Sequence, residues 1–142
     1  MIYVRDVMTR GVKTIDLRST ILDAAKAMAK WKIGSLVVVE GTKPVGMVTE
    51  GDVSRSVADG VEPSTALGKF GMKRLLTVAQ DEKVEVAAKM MSDARVKKLP
   101  VIEGGALVGI ITQTDIVGST FSLVTSLKEM VEARYRPPDF EM

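Results

Sequence analysis

The sequence predicts an α+β fold: two copies of one strand–helix–strand–strand–helix unit, followed by a helical tail. Three observations lead there. The chain aligns with itself at a constant offset of 63 residues. Each copy holds one stretch with helical apolar spacing and then two β-branched runs. The residues after Ser119 match neither copy and carry their own helical stripe.

The self-match pairs residues 14–53 with residues 77–116 without a gap, and thirteen of the forty positions are identical. Among them are Thr14/Thr77, Ala24/Ala87, Ala25/Ala88, Lys26/Lys89, Met28/Met91, Gly46/Gly109, Thr49/Thr112 and Asp52/Asp115. Many other pairs exchange like for like, as in Val39/Ile102 and Val48/Ile111. A match of this length without gaps indicates duplication.

In chain order, "KTI" at 13–15 and "LTV" at 76–78 open each copy as short extended segments. "STILDAAKAMAKWK" places Ile21, Ala24, Ala25, Met28 and Trp31 along one helical face, with Ser19 as the expected N-cap. "EKVEVAAKMMSDA" repeats the stripe with Val84, Ala87, Ala88 and Met91. "SLVVVE" and "LPVIE" suit buried strands, "EGTKP" and "EGGAL" suit turns, and "VGMVT" and "VGIIT" read as second strands. Short helices are expected near Glu50–Ala58 and Gln113–Ser119. The units are expected at 1–60 and at 61–119 with the linker, leaving 120–142 as the tail. In the tail, Phe121, Val124, Leu127, Met130 and Val131 lie near one helical face, which suits either packing on the body or a dimer or partner contact. Residues 136–142 are expected to fray.

Composition narrows the function. A unit of about 60 residues buries too little surface to be stable alone, so two should share a core. The longest aliphatic run, Leu36 to Val39, cannot span a bilayer, and "MIYVRDVMT" lacks the apolar core of a secretory signal. A cytoplasmic location is the expectation. There is no cysteine and no histidine, which excludes Ser-His, Cys-His and His-zinc sites. An enzyme is therefore not expected, nor a metal or required cofactor. The net charge of +2 and the low aromatic content offer no nucleic-acid reading surface.

The repeated Gly, Thr and Asp sit where a strand ends and a helix begins. T-x-x-D there resembles a capping box, with Thr as N-cap and the acid reaching back. Yet the duplicate keeps Thr and Asp while Glu50-Gly51 becomes Gln113-Thr114. A helix N-terminus with free N–H groups and a Thr hydroxyl also suits an anion, and an Asp one turn in suits a vicinal diol. Phosphate plus diol describes a ribonucleotide. Both readings stay open on the residues alone.

"VRDVMTRGVKTI", "DAAKAM", "IGSLVVVE", "KPVGMVTEGDV" and "KKLPVIEGGALVGIITQTDI" together resemble a tandem pair of CBS domains, a Bateman module, from Val4 to about Ser119. The resemblance implies two βαββα units related by a pseudo-twofold, with their sheets packed together. It implies binding of AMP, ADP or ATP, or alternatively S-adenosylmethionine, in two clefts. Asp52 and Asp115 would hold ribose hydroxyls, and Thr49 and Thr112 would approach phosphate. Adenine would lie against Leu76 and Thr77 in the Asp52 site and against Lys13 and Thr14 in the Asp115 site. Met47 and Ile110, on the strands leading to the two junctions, belong to the candidate set. Lys97 and Lys98 would meet phosphate. The first copy has Gly34 and Ser35 at their positions, so if basic groups cross to the opposite cleft, only the Asp52 site is cationic. Gly51 stands where such domains often carry Arg before the Asp. The function implied is an adenine-nucleotide sensor, a homodimer that regulates an unidentified protein in trans. The alternative is a structural dimerisation module whose sites stay empty.

Overall fold

The structure, a computed structural model, describes residues 1–70 and 75–134. Helix α1 (Val4–Val7) precedes β1 (Thr14–Asp16), α2 (Ile21–Trp31), β2 (Ser35–Glu40), β3 (Lys43–Thr49) and α3 (Glu50–Ala58). A 3-10 turn (Leu67–Lys69) leads to β4 (Val78–Ala79), α4 (Val84–Ala94), β5 (Lys98–Glu103), β6 (Ala106–Thr112) and α5 (Gln113–Arg134). Each copy forms a three-stranded sheet, ordered β1-β2-β3 and β4-β5-β6, with the first pair parallel and the second antiparallel. A helix crosses between the parallel strands in both, as parallel pairing requires.

The α2 stripe buries Ile21, Ala24 and Met28, and α4 buries Val84, Ala87 and Met91. Trp31 ends the first stripe half-exposed, with Lys13 Nζ 4.9 Å above its ring. The N-cap of α2 is Thr20 and not Ser19: its hydroxyl accepts the Asp23 N–H at 3.1 Å, and the Asp23 carboxylate accepts the Thr20 N–H at 2.9 Å. That backbone N–H, aided by the hydroxyl, holds the Asp23 carboxyl below its usual range. Only Thr20 has an acid three residues on, which completes the box.

The two cores do not follow the chain order. Val4 of α1 is buried among Val78, Ala87, Met91, Leu99, Val101 and Ile111 of the second copy. Leu67 is buried among Ile21, Ala24, Met28, Leu36, Val38 and Val48 of the first. Val4 and Leu67 are 63 positions apart, so each copy lends its leading segment to the other. The isolated bridges Tyr3↔Lys83 and Thr20↔Ala66 repeat the exchange at the same offset. Such reciprocity is the signature of a twofold relation between the copies. The sheets meet where β3 packs on β6, and the Leu107 N–H donates to the Thr42 carbonyl at 3.3 Å.

The second copy's last helix and the tail are one helix, α5, and not a short helix followed by another. Its first turns pack on α1, α4 and β6. Val124, Leu127, Met130 and Val131 are each at least half exposed, so packing on the body is not their role in this chain. The side chain of Phe121 and residues 136–142, expected to fray, lie outside the described residues. Among the described residues no helix is long and apolar enough to cross a membrane.

Candidate functional site

Strand β3 delivers Thr49 in extended backbone to the start of α3. The Asp52 N–H donates to Thr49 Oγ1 at 3.1 Å, and the Thr49 N–H donates to Asp52 Oδ2 at 2.8 Å. Thr112 and Asp115 repeat this at the start of α5, at 3.1 and 2.9 Å. The capping box is therefore present in both copies. It engages one carboxylate oxygen and leaves the other available. In Asp52 that second oxygen, Oδ1, receives the Arg55 guanidinium from one turn further along α3.

A cavity of about 460 Å³ lies over Asp52. Small-molecule sites fall in a range of roughly 300–1,000 Å³. The first copy supplies Gly34, Ser35, Met47, Thr49, Asp52 and Arg55 to its walls. The second supplies Leu75, Leu76, Arg95, Val96, Lys97 and Lys98. The wall is mixed in a useful way. Met47, Leu75, Leu76 and Val96 offer apolar surface for a flat ring, while four cations surround a single carboxylate. Lys98 Nζ donates to Ser35 Oγ at 3.0 Å, tying the two copies together at the cavity. Such a lining can hold a ring, a diol and an anionic group at once.

Eight of the residues singled out from sequence thus share one cavity. Lys97 and Lys98 reach the side of Asp52, and their counterparts Gly34 and Ser35 face the same cavity. The other six lie outside its walls. Thr77 is half-buried just before β4, and Thr14 is exposed in β1 opposite Val37. Lys13 stands over Trp31. Ile110 exchanges two backbone hydrogen bonds with Thr9, at 2.8 and 3.0 Å, so its main chain is already engaged. A side chain on Gly109 would begin 2.9 Å from the Thr9 carbonyl and 2.7 Å from Met8 Sδ. The close approach that this glycine permits is therefore to the chain's own leading segment. Arg55 and Arg95 were not singled out. Arg55 stands three residues beyond Asp52, on the same helical face. Arg95 stands two residues before Lys97.

The comparisons with known proteins agree with this architecture. The CBS domain family matches twice, over residues 4–59 and 67–122. Both matches begin at the exchanged segments, with Val4 and Leu67. The chain is 33% identical over 132 residues to an uncharacterized protein of Methanopyrus kandleri, covering 90% of this chain and 67% of that one. Among solved structures it is similar to Hypoxic Response Protein I, described with two coordinated zinc ions, at 30% identity and a TM-score of 0.77, covering 84% of this chain and 99% of that one. This chain has no His and no Cys to offer a zinc ion. It is also similar to the CBS domain pair of protein MJ0100, described in complex with 5′-methylthioadenosine and S-adenosyl-L-methionine, at 27% identity and a TM-score of 0.76, covering 87% of this chain and 98% of that one. With two family matches spanning most of its length and two interlocked three-stranded units in its fold, the chain belongs to the CBS domain family as a tandem pair.

Proposed function

We propose that the Asp52 cleft binds an adenine nucleotide, and that the pair is a regulatory sensor working as a homodimer on another protein in the cytoplasm. The observation that carries this reading is convergence. The Thr49–Asp52 helix start of one copy and the cationic Arg95, Lys97 and Lys98 of the other face one cavity. The adenine lies on Leu76 and Met47, the ribose hydroxyls on Asp52, and the phosphate on Thr49, Lys97 and the start of α3. A regulatory role follows from the placement: a ligand there bridges the two copies and stiffens the relation between them. The similar CBS pair of MJ0100, described with two adenosine-containing ligands, supports the base and sugar. The four cations favour an anionic nucleotide over a sulfonium, which makes S-adenosylmethionine the weaker alternative.

A thermal-shift panel of AMP, ADP, ATP, S-adenosylmethionine, UMP and CMP tests the reading. At about 100 times its dissociation constant a ligand adds roughly 2.7 kcal/mol to stability. Adenine nucleotides should raise the melting temperature, and the pyrimidine nucleotides should not. Equal shifts from every nucleotide would reduce the site to a general anion site.

A further inference from the structure

Arg55 is a large charged group at the cleft that capping does not require. Its guanidinium pairs with Asp52 Oδ1, the oxygen that the capping box leaves free. Gly51 lies beside the guanidinium: a Cβ there would stand 3.8 Å from Arg55 Nη1, in ordinary van der Waals contact. The guanidinium thus lies back along the first turn of α3, against Gly51. The second copy carries Thr114 and Gly118 at these two positions, and a Cβ on Gly118 would meet nothing within 4 Å. Gly and Arg in one copy become Thr and Gly in the other, so Asp115 has no such partner one turn along its helix.

Resting on the nucleotide reading of the Asp52 cleft, we propose that Arg55 makes binding there conditional on phosphate. Arg55 pairs with the carboxylate that a ribose must reach. A diol brings only neutral hydroxyls, which replace a guanidinium poorly on a carboxylate. A phosphorylated ligand changes the exchange. Its phosphate offers Arg55 a second anion, one that suits the planar fork of the guanidinium. Arg55 turns to the phosphate and so keeps an anionic partner, while Asp52 accepts the hydrogen bonds of the diol. The Arg55 side chain is 59% exposed, so it is free to make that turn. Arg95 and Lys97 add attraction but do not touch Asp52 in this way, so they strengthen binding without gating it. The cleft therefore accepts adenosine phosphates and rejects adenosine, methylthioadenosine and other unphosphorylated nucleosides.

Calorimetric titration of the full chain with AMP and with adenosine tests this, using the parent, Arg55→Gln, Arg55→Lys and Asp52→Ala. The parent should bind AMP far more tightly than adenosine. Arg55→Gln should weaken AMP by about tenfold or more and strengthen adenosine several-fold, so that the preference collapses. The opposite signs separate gating from a loss of fold, which weakens both ligands. Arg55→Lys keeps the charge without the fork and should fall between, which guards against a Gln variant that fails to fold. An unchanged AMP-to-adenosine ratio in both Arg55 variants, with Asp52→Ala still weakening AMP, overturns the role of Arg55 alone. Unchanged AMP affinity in Asp52→Ala overturns the nucleotide reading of the cleft itself, and absence of binding by the parent overturns both.

Discussion

Lys98 donates from its ammonium to the hydroxyl of Ser35 at 3.0 Å, and the two residues hold the same position in the two copies, 63 residues apart. Equivalent positions meet only at the axis that relates them. There a strict duplicate is a liability, because two lysines would face each other. Serine opposite Lys98 avoids that repulsion and turns the contact into a hydrogen bond. It also sets one cation at the Asp52 cavity.

Ser35→Ala should lower stability by about 1 kcal/mol through loss of one partly buried hydrogen bond. Ser35→Lys should cost more, and its penalty should shrink as salt is added, because like charges near a surface are screened. Urea unfolding at low and high ionic strength checks both. A Lys variant as stable as the parent at low salt would remove the axis argument.

The exchanged leading segments predict one cooperative unit. A fragment of residues 1–60 lacks Leu67 for its own core and leaves Val4 without the second copy's core around it. It should be unfolded or self-associated by circular dichroism and sedimentation. Leu67→Ala in the full chain should cost about 2–5 kcal/mol although Leu67 precedes the second copy, and it should do so in a single transition. A second, independent transition would show that the copies fold apart.

Much of this was legible because the duplication lets each copy check the other. The helices, the long strands and the T-x-x-D junctions stand close to their expected places. The opening strands start later than expected, since pairing begins only at Thr14 with Val37 and at Val78 with Val101. The exchange was not legible: apolar spacing marks Val4 and Leu67 as inward-facing but not which core receives them. Nor was the length of α5, where Gly118 sits inside a helix that neighbouring residues sustain. Arg55 was missed for a related reason. Weight on repeated positions hides a residue whose duplicate is Gly118.

Two helices end on a left-handed residue that is not glycine: Lys32 after α2, with φ of 54°, and Arg95 after α4, with φ of 56°. Glycine is the usual residue at such a cap because it has no Cβ to clash. Lys32→Gly and Arg95→Gly should each raise stability by roughly 0.5–1 kcal/mol, as relief of strain exceeds the added chain entropy. Their effects on the ligand should differ. Arg95 lines the Asp52 cavity and Lys32 does not, so only Arg95→Gly should weaken AMP. Thermal melts beside AMP titration check this. Equal affinity in both variants would remove Arg95 from the site.

The two aspartates now separate capping from binding, because both make the same box. Asp52→Ala and Asp115→Ala should each lower stability by about 1 kcal/mol, the ordinary loss of a cap. Only Asp52 adds a second engaged oxygen and a cavity with four cations around it. Removing its carboxylate should weaken an adenine nucleotide on the order of ten- to a hundredfold, while Asp115→Ala should have little effect at this cleft. Glutamate sharpens the contrast. It serves the third position of a capping box as well as aspartate, so Asp52→Glu should keep the melting temperature. Its extra methylene moves the carboxylate past both Arg55 and the ribose, so affinity should still fall. Nucleotide affinity and melting temperature, measured together on these variants, decide the matter. If Asp52→Glu binds like the parent, the repeated Thr and Asp are helix caps and nothing more.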